Sequence, residues 1–341
     1  MTSARGFGAV LLLGAALCAC TWDWTVGRSD GGPAPDAGPV DDGGGGSLIQ
    51  RSCQIAPEPP GCGLTRVIVS SDPFVLGEAD GGPAAASPPQ PNIRLSVGAL
   101  DVDSYEVTVG RFRRFWRSGH PAPPAGTFIP YPGGKHIEWK GALREPIRVA
   151  FDADAGCTWT PTADAEENLP INCLDWDTSL AFCVWDGARL PTEAEREWIA
   201  RYRPVAGLPS PRLYPWGDQP PTARCTQAQW DHCPGEDGGK PRVRPVGSFP
   251  GAGGLFDLGG NAGEWQADVY ALYDDPGCWG GVAQTDPLCL TASPFDTVRA
   301  ARGGDWNITG EANLRSDSRG YFAADTQRAQ MGVRCVRSAS P

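Results

Sequence analysis

Residues 302–316 read RGGDWNITGEANLRS. Arg302, Asp305, Trp306 and Arg315 fall in this run, and Arg319 follows it closely. Arginine forks onto carboxylates and an indole offers a flat apolar face, so this composition suits an acidic or peptide ligand. The same arginines and Trp306 can equally pack and pair inside a fold. The run holds no Cys, His or Lys, so it offers neither an obvious nucleophile nor a soft metal ligand.

The chain has 12 Cys. Setting aside Cys18 and Cys20 leaves Cys53, Cys62, Cys157, Cys173, Cys183, Cys225, Cys233, Cys278, Cys289 and Cys335. An even set in a secreted chain reads as disulfides. Cys53/Cys62, Cys225/Cys233 and Cys278/Cys289 lie close in sequence, although spacing alone leaves the connectivity open. No CxxC occurs, which removes zinc-ribbon and thioredoxin-type readings.

The secretory context comes from the first residues, MTSARGFGAVLLLGAALCAC. One Arg precedes an apolar run from Phe7 to Leu17, too short for a stable membrane span. Leu17-Cys18-Ala19-Cys20 resembles a bacterial lipobox, which implies a signal peptide over 1–19 and acylation of Cys20. Cys18 fits worse because Leu17 stands where a small residue is needed; an ordinary cleaved signal is the alternative. Thr21 after Cys20 argues, by analogy, for the outer membrane.

Residues 20–62 then read as a tether. Within them, 27–47 are almost entirely Gly, Pro, Asp and Ala, with little to bury. Residues 63–338 remain as the globular part. The net charge of −11 argues against nucleic acid, since phosphates would meet no neutralising surface. Thirteen Trp among 45 Gly and 34 Pro point to a loop-rich fold with large aromatic anchors rather than a helical bundle.

These residues need elements to position them. LTRVIVSSDPFVLG at 64–77 reads as strands, and 93–108 as a strand leading to Thr108, a good N-cap. A helix follows with Val109, Phe112, Phe115 and Trp116 on one face and Gly119 as its stop. Residues 120–170 read mostly as loop. Asp175 or Asp177 caps a second helix that ends at Gly187, and Thr192 with Glu195 forms a capping box for a third. Glu193, Glu195 and Glu197 are therefore structural. Beyond Arg201 only short strand-like pieces such as VRPVGSF occur. Short helices on irregular chain and short strands give an α+β class.

The order of segments resembles the formylglycine-generating enzyme, or sulfatase-modifying factor, family. The resemblance is carried by YEVTVGRFRRF, INCLDWDTSLAFCVWDGARLPTEAEREWIAR, YPWGD, PVGSFPGAGGLFDLGGNAGEW, RAARGGDWN and MGVRC, from about Phe74 to Arg337. It implies a C-type-lectin-like fold, poor in regular structure and stabilised by calcium and disulfides. It places calcium on the Asp257 side chain, the Gly260 and Ala262 carbonyls, and Glu264. Mixed carboxylate and carbonyl oxygens suit calcium, and Gly259, Gly260 and Asn261 tolerate the positive φ that turns carbonyls inward. A second calcium site would need Glu236 or Asp237, because Cys225 holds its expected Asn position. The resemblance also implies a Cys183–Cys335 disulfide, worth roughly 4–5 kcal/mol in the chain-entropy model. Cys157 and Cys173 are then the last couple.

Enzymes of this family oxidise a substrate Cys with Cu(I) held by two cysteines. Those positions align with Ile308 and Asn313, and neither side chain binds Cu(I). Asp305 replaces a Ser, Thr309 a frequent His, and Gly263 a groove Trp. A related iron-dependent branch needs a His-rich helix, whereas His120, His136 and His232 stand apart. The expectation is a calcium-stiffened binding module for an unknown peptide or envelope protein, with copper and catalytic residues absent. Arg302, Asp305, Trp306, Arg315 and Arg319 would line its groove. The alternatives are a copper-dependent oxidase with an altered site and a structural accessory lipoprotein.

Overall fold

The computed structural model describes residues 50–339, apart from 55, 68–72, 78–92, 148–155, 164, 208–209, 223–224, 232, 235–237, 239–240, 250, 252, 281–282 and 293. The leader, Cys20, the glycine-rich tether, His232, Glu236 and Asp237 lie outside the described residues.

In chain order the strands are β1 (Leu64–Val67), β2 (Phe74–Val75), β3 (Arg94–Ser96), β4 (Leu100–Asp103), β5 (Phe128–Pro130) and β6 (His136–Glu138). Then come β7 (Gly263–Val269), β8 (Gln284–Thr285), β9 (Val298–Arg302), β10 (Gly320–Ala323), β11 (Met331–Gly332) and β12 (Val336–Ser338). The helices are α1 (Val109–Arg117), α2 (Trp176–Trp185), α3 (Glu193–Glu197) and α4 (Pro276–Trp279). The widest sheet runs β10-β9-β7-β11, and two smaller ones run β1-β4-β12 and β2-β3-β8. The class is α+β, as read from the sequence.

The helix ends form as their caps dictate. Thr108 Oγ1 accepts from Arg111 N at 3.2 Å, and Asp175 Oδ1, rather than Asp177, accepts from Thr178 N at 2.8 Å. Thr192 Oγ1 accepts from Glu195 N at 3.2 Å while Glu195 Oε2 accepts from Thr192 N at 2.8 Å, which completes the capping box. The apolar faces of α1 and α2 then meet. Phe112 and Phe115 pack with Phe182 and Trp185 in one buried cluster.

Two strand expectations differ from the structure. Residues 93–108 hold β3 and β4 rather than one strand, because Gly98 N donates to Asp286 Oδ1 at 2.7 Å instead of to a ladder. VRPVGSF is not a strand either. Arg244 N donates to Asn261 Oδ1 at 2.7 Å, Gly247 N donates to Asp257 Oδ2 at 2.5 Å, and Pro245 has no N–H to give.

Five disulfides close the fold: Cys53–Cys62, Cys157–Cys173, Cys183–Cys335, Cys225–Cys233 and Cys278–Cys289. A buried square of charges adds a non-covalent tie. Arg111 reaches Asp103 and Asp186 at 2.8 Å each, and Arg337 reaches the same pair at 2.7 and 3.0 Å. None of the described helices is long and apolar enough to cross a membrane.

Candidate functional site

The loop after β9 turns back on Gly303 and Gly304, both at positive φ. It brings Asp305, Ile308 and Asn313 to a cavity of about 70 Å³ against β7, β9, β10 and β11. Gly263, Phe322 and Met331 complete the apolar wall. At Gly263 a Cβ would stand 3.1 Å from Met331 Sδ and 3.2 Å from Gln330 O, so this floor is set by close backbone approach. Asn313 Nδ2 donates to Thr309 O at 2.7 Å and Asp305 Oδ1 accepts from Asn307 N at 2.8 Å. Burial pushes the Asp305 carboxyl up to about 6, against the lowering effects of the Asn307 N–H and Arg328.

The arginines proposed for the groove are committed elsewhere. Arg302 and Arg319 reach the cavity wall, but their guanidiniums close on buried Glu193. Arg302 Nη2 lies 2.9 Å from Glu193 Oε1, 2.9 Å from Glu197 Oε2 and 3.0 Å from the Tyr273 hydroxyl. Arg319 stacks on Tyr273 at 4.0 Å. Arg315 pairs with Asp317 at 3.0 Å and does not line the cavity. Only Arg302 Nε, Arg302 Nη1 and Arg319 Nη1 lack an acceptor within this group.

Trp306 is also reassigned. Its indole lies in the main core, with Nε1 donating to Ala329 O at 3.1 Å and the ring against Gly156. The groove floor is therefore Gly263, read from the sequence as the place of a lost groove Trp, with Phe322 and Met331, which the sequence reading did not select. Nothing in their periodicity sets them apart; their convergence depends on the register of β9 with β10 and of β7 with β11.

The calcium residues come together on one turn, with Asp257 at φ 56°, Gly260 at 77° and Asn261 at 59°. Their carboxylates are already engaged. Asp257 accepts from Gly247 N at 2.5 Å and Phe249 N at 2.9 Å. Glu264 Oε2 meets Arg196 Nε at 2.5 Å and Oε1 meets Arg334 Nε at 2.8 Å. Arg196 Nη2 also donates to Leu258 O at 2.8 Å. Burial alone would raise Glu264; Arg196 and Arg334 outweigh it and hold the carboxyl low. A third carboxylate, Glu106, faces this cluster and is pushed well up by burial and by Asp257.

Calcium needs six to eight oxygens that are free to turn toward it. Here it would stand beside two guanidiniums already bound to Glu264. As arranged, Asp257, Gly260, Ala262 and Glu264 do not fit a calcium cage; arginine supplies the positive charge. Among the described residues, the one close group of three potential metal-binding side chains is Cys53, Glu58 and Cys62, where the two sulfurs form a disulfide. His120 stacks on Trp116 and His136 packs on Phe128, so neither adds to the cavity. All ten cysteines of the described residues are in disulfides, and no thiol faces Ile308 or Asn313.

Residues 58–339 match the family model described as sulfatase-modifying factor enzyme 1-like domain. The formylglycine-generating enzyme of Bos taurus is 26% identical over 276 residues, covering 74% of this chain and 69% of that one. The inactive C-alpha-formylglycine-generating enzyme 2 of Bos taurus is 32% identical over 189 residues, covering 52% of this chain and 54% of that one. Among solved structures, PvdO from Pseudomonas aeruginosa superposes with a TM-score of 0.55 at 21% identity, over 83% of this chain and 100% of its own. That last likeness concerns the fold alone.

Proposed function

The chain belongs to the sulfatase-modifying factor family, and from that premise we propose that it is a non-catalytic binding protein held at the cell envelope by a lipid on Cys20. One observation carries the reading. By the family resemblance the Cu(I) cysteine positions fall on Ile308 and Asn313, and both of these residues line the cavity. Cu(I) requires thiolate or thioether ligands, and an aliphatic side chain and an amide supply neither. Every described cysteine is oxidised, so none is available to replace them. Met331 offers one thioether, which alone is half of a soft two-ligand set.

The printed name of the inactive bovine relative supports a member without the oxidase chemistry. A cavity of about 70 Å³ admits one side chain of a partner rather than a whole ligand. Its apolar wall of Ile308, Phe322 and Met331, with Asp305 at the edge, suits an apolar residue of a peptide or envelope protein beside a hydrogen-bond donor. The tether would hold this face clear of the membrane.

Cu(I) titration of the intact protein against a chromophoric chelator, with oxygen uptake measured on a cysteine peptide, tests the reading. Neither stoichiometric copper uptake nor peptide-dependent oxygen consumption is expected. Either result would restore the oxidase. Mass spectrometry of the mature N-terminus tests the anchor: a diacylglyceryl group on Cys20 supports it, and an unmodified terminus removes it.

A further inference from the structure

We propose that the chain carries a second binding site, in a cavity of about 580 Å³ between β6 and the residues after it, the start of α2, the start of β9 and the end of β10, which takes an amino-acid zwitterion. The site lies apart from Ile308 and Asn313 and does not depend on the reading given above. Its volume falls in the range of small-molecule sites, ~300–1,000 Å³.

Two charges in it lack partners. The side chain of Arg299, the second residue of β9, makes no hydrogen bond or ion pair with any described residue. Its guanidinium lies 4.0 Å over the Trp176 ring, and its Nε is buried with no acceptor. Asp177, in the first turn of α2, likewise accepts no hydrogen bond, because Asp175 serves as the cap. The two side chains feel each other's charge without forming an ion pair within 4.0 Å. A buried donor left unmatched is costly, as is a half-buried carboxylate. A ligand with a carboxylate for Arg299 and an ammonium for Asp177 satisfies both.

The neighbouring groups narrow the choice. Glu138 is spent on Lys140 at 2.8 Å, and Asp296 on Ala292 N at 2.8 Å. Asp325 stands at the mouth with its side chain 71% exposed and 3.9 Å from Arg144 Nη2. A simple anion would leave Asp177 unmatched, and a simple amine would leave Arg299 unmatched. A sugar would want an open ring face, but Trp139 and Trp176 are 2% and 3% exposed and Arg299 covers the latter. Gly141 completes the site. A Cβ there would stand 2.3 Å from Asp177 Cγ, so a larger residue displaces the carboxyl.

Calorimetric titration of the intact protein with the common free L-amino acids and with dialanine tests this. Saturable binding by at least one zwitterion is expected. The N-acetylated and the C-amidated forms of that ligand should each bind at least ~10-fold more weakly, since each loses one charge-assisted contact. Tighter binding of free amino acids names the monomer as ligand; tighter binding of dialanine names a short peptide. Arg299→Met, Asp177→Asn and Gly141→Ala should each weaken binding with the circular-dichroism spectrum retained. The capped ligands decide the matter on the unaltered protein if a variant fails to fold. No binding of any zwitterion at millimolar concentration, or equal binding of a capped form, overturns the proposal.

Discussion

Arg196 Nε lies 2.5 Å from Glu264 Oε2, with both side chains 2% exposed or less. The pair joins α3 to the first residues of β7, and Arg334 closes on the other Glu264 oxygen from the segment before β12. Breaking a buried ion pair from one side typically costs about 3–5 kcal/mol, because the remaining charge loses its partner. Arg196→Met should therefore lower the stability read by urea unfolding by about 3 kcal/mol, with Arg334 limiting the loss. The unaltered protein should melt at the same temperature in calcium and in chelator. A chelator-induced drop reversed by calcium would show that the arginines do not replace the ion.

Ile308 and Asn313 face one cavity, so the missing copper pair can be rebuilt. The double variant Ile308→Cys, Asn313→Cys should bind about one Cu(I) per chain in the chelator competition, and each single variant far less. Equal uptake by the double variant and the unaltered protein would mean that these positions do not share a site.

The square of Arg111, Arg337, Asp103 and Asp186 ties β4, α1, the end of α2 and β12 together. Arg111→Met leaves two buried carboxylates facing Arg337 alone. A loss of about 3–5 kcal/mol in denaturant unfolding is expected, against a few tenths for an exposed residue such as Lys140→Met. A loss below 1 kcal/mol would show that the square relaxes without strain.

Stability should fall as pH rises from about 4, the ordinary carboxyl value, to about 7. Burial and then Glu193 push the Asp268 carboxyl up to about 7, and Asp177, Asp257 and Asp305 are each pushed up to about 6. A raised carboxyl keeps its proton in the folded state while the unfolded chain has lost it. The native state therefore binds more protons across this window, and unfolding becomes easier as pH climbs. Carboxyls held low, such as Glu193 and Asp103, contribute a loss only at more acidic pH. Melting temperature across this range checks the slope. A flat or rising curve would mean that these four carboxyls are ionised throughout.

Much of the frame can be read along the chain. Thr108, Asp175 and the Thr192–Glu195 box cap their helices because capping is satisfied within three or four residues. The six motifs foretell the fold and the Cys183–Cys335 bridge, and the even set of cysteines points to disulfides without fixing the other four pairings. Local sequence misjudged VRPVGSF, whose backbone donors go to Asp257 and Asn261 rather than to a strand.

The sequence by itself determined that positions 308 and 313 carry no thiol, since residue type decides which metal a side chain can bind. The tertiary structure decided which charges are spoken for. Arg302, Arg315 and Arg319 look alike in the chain as ligand contacts, yet Glu193 and Asp317 claim them, while the Arg299 side chain lies over a Trp with no ion pair among the described residues. A guanidinium on a long stem pairs with whichever carboxylate the fold brings near, and that neighbour can lie more than a hundred residues away, as Glu193 does from Arg319.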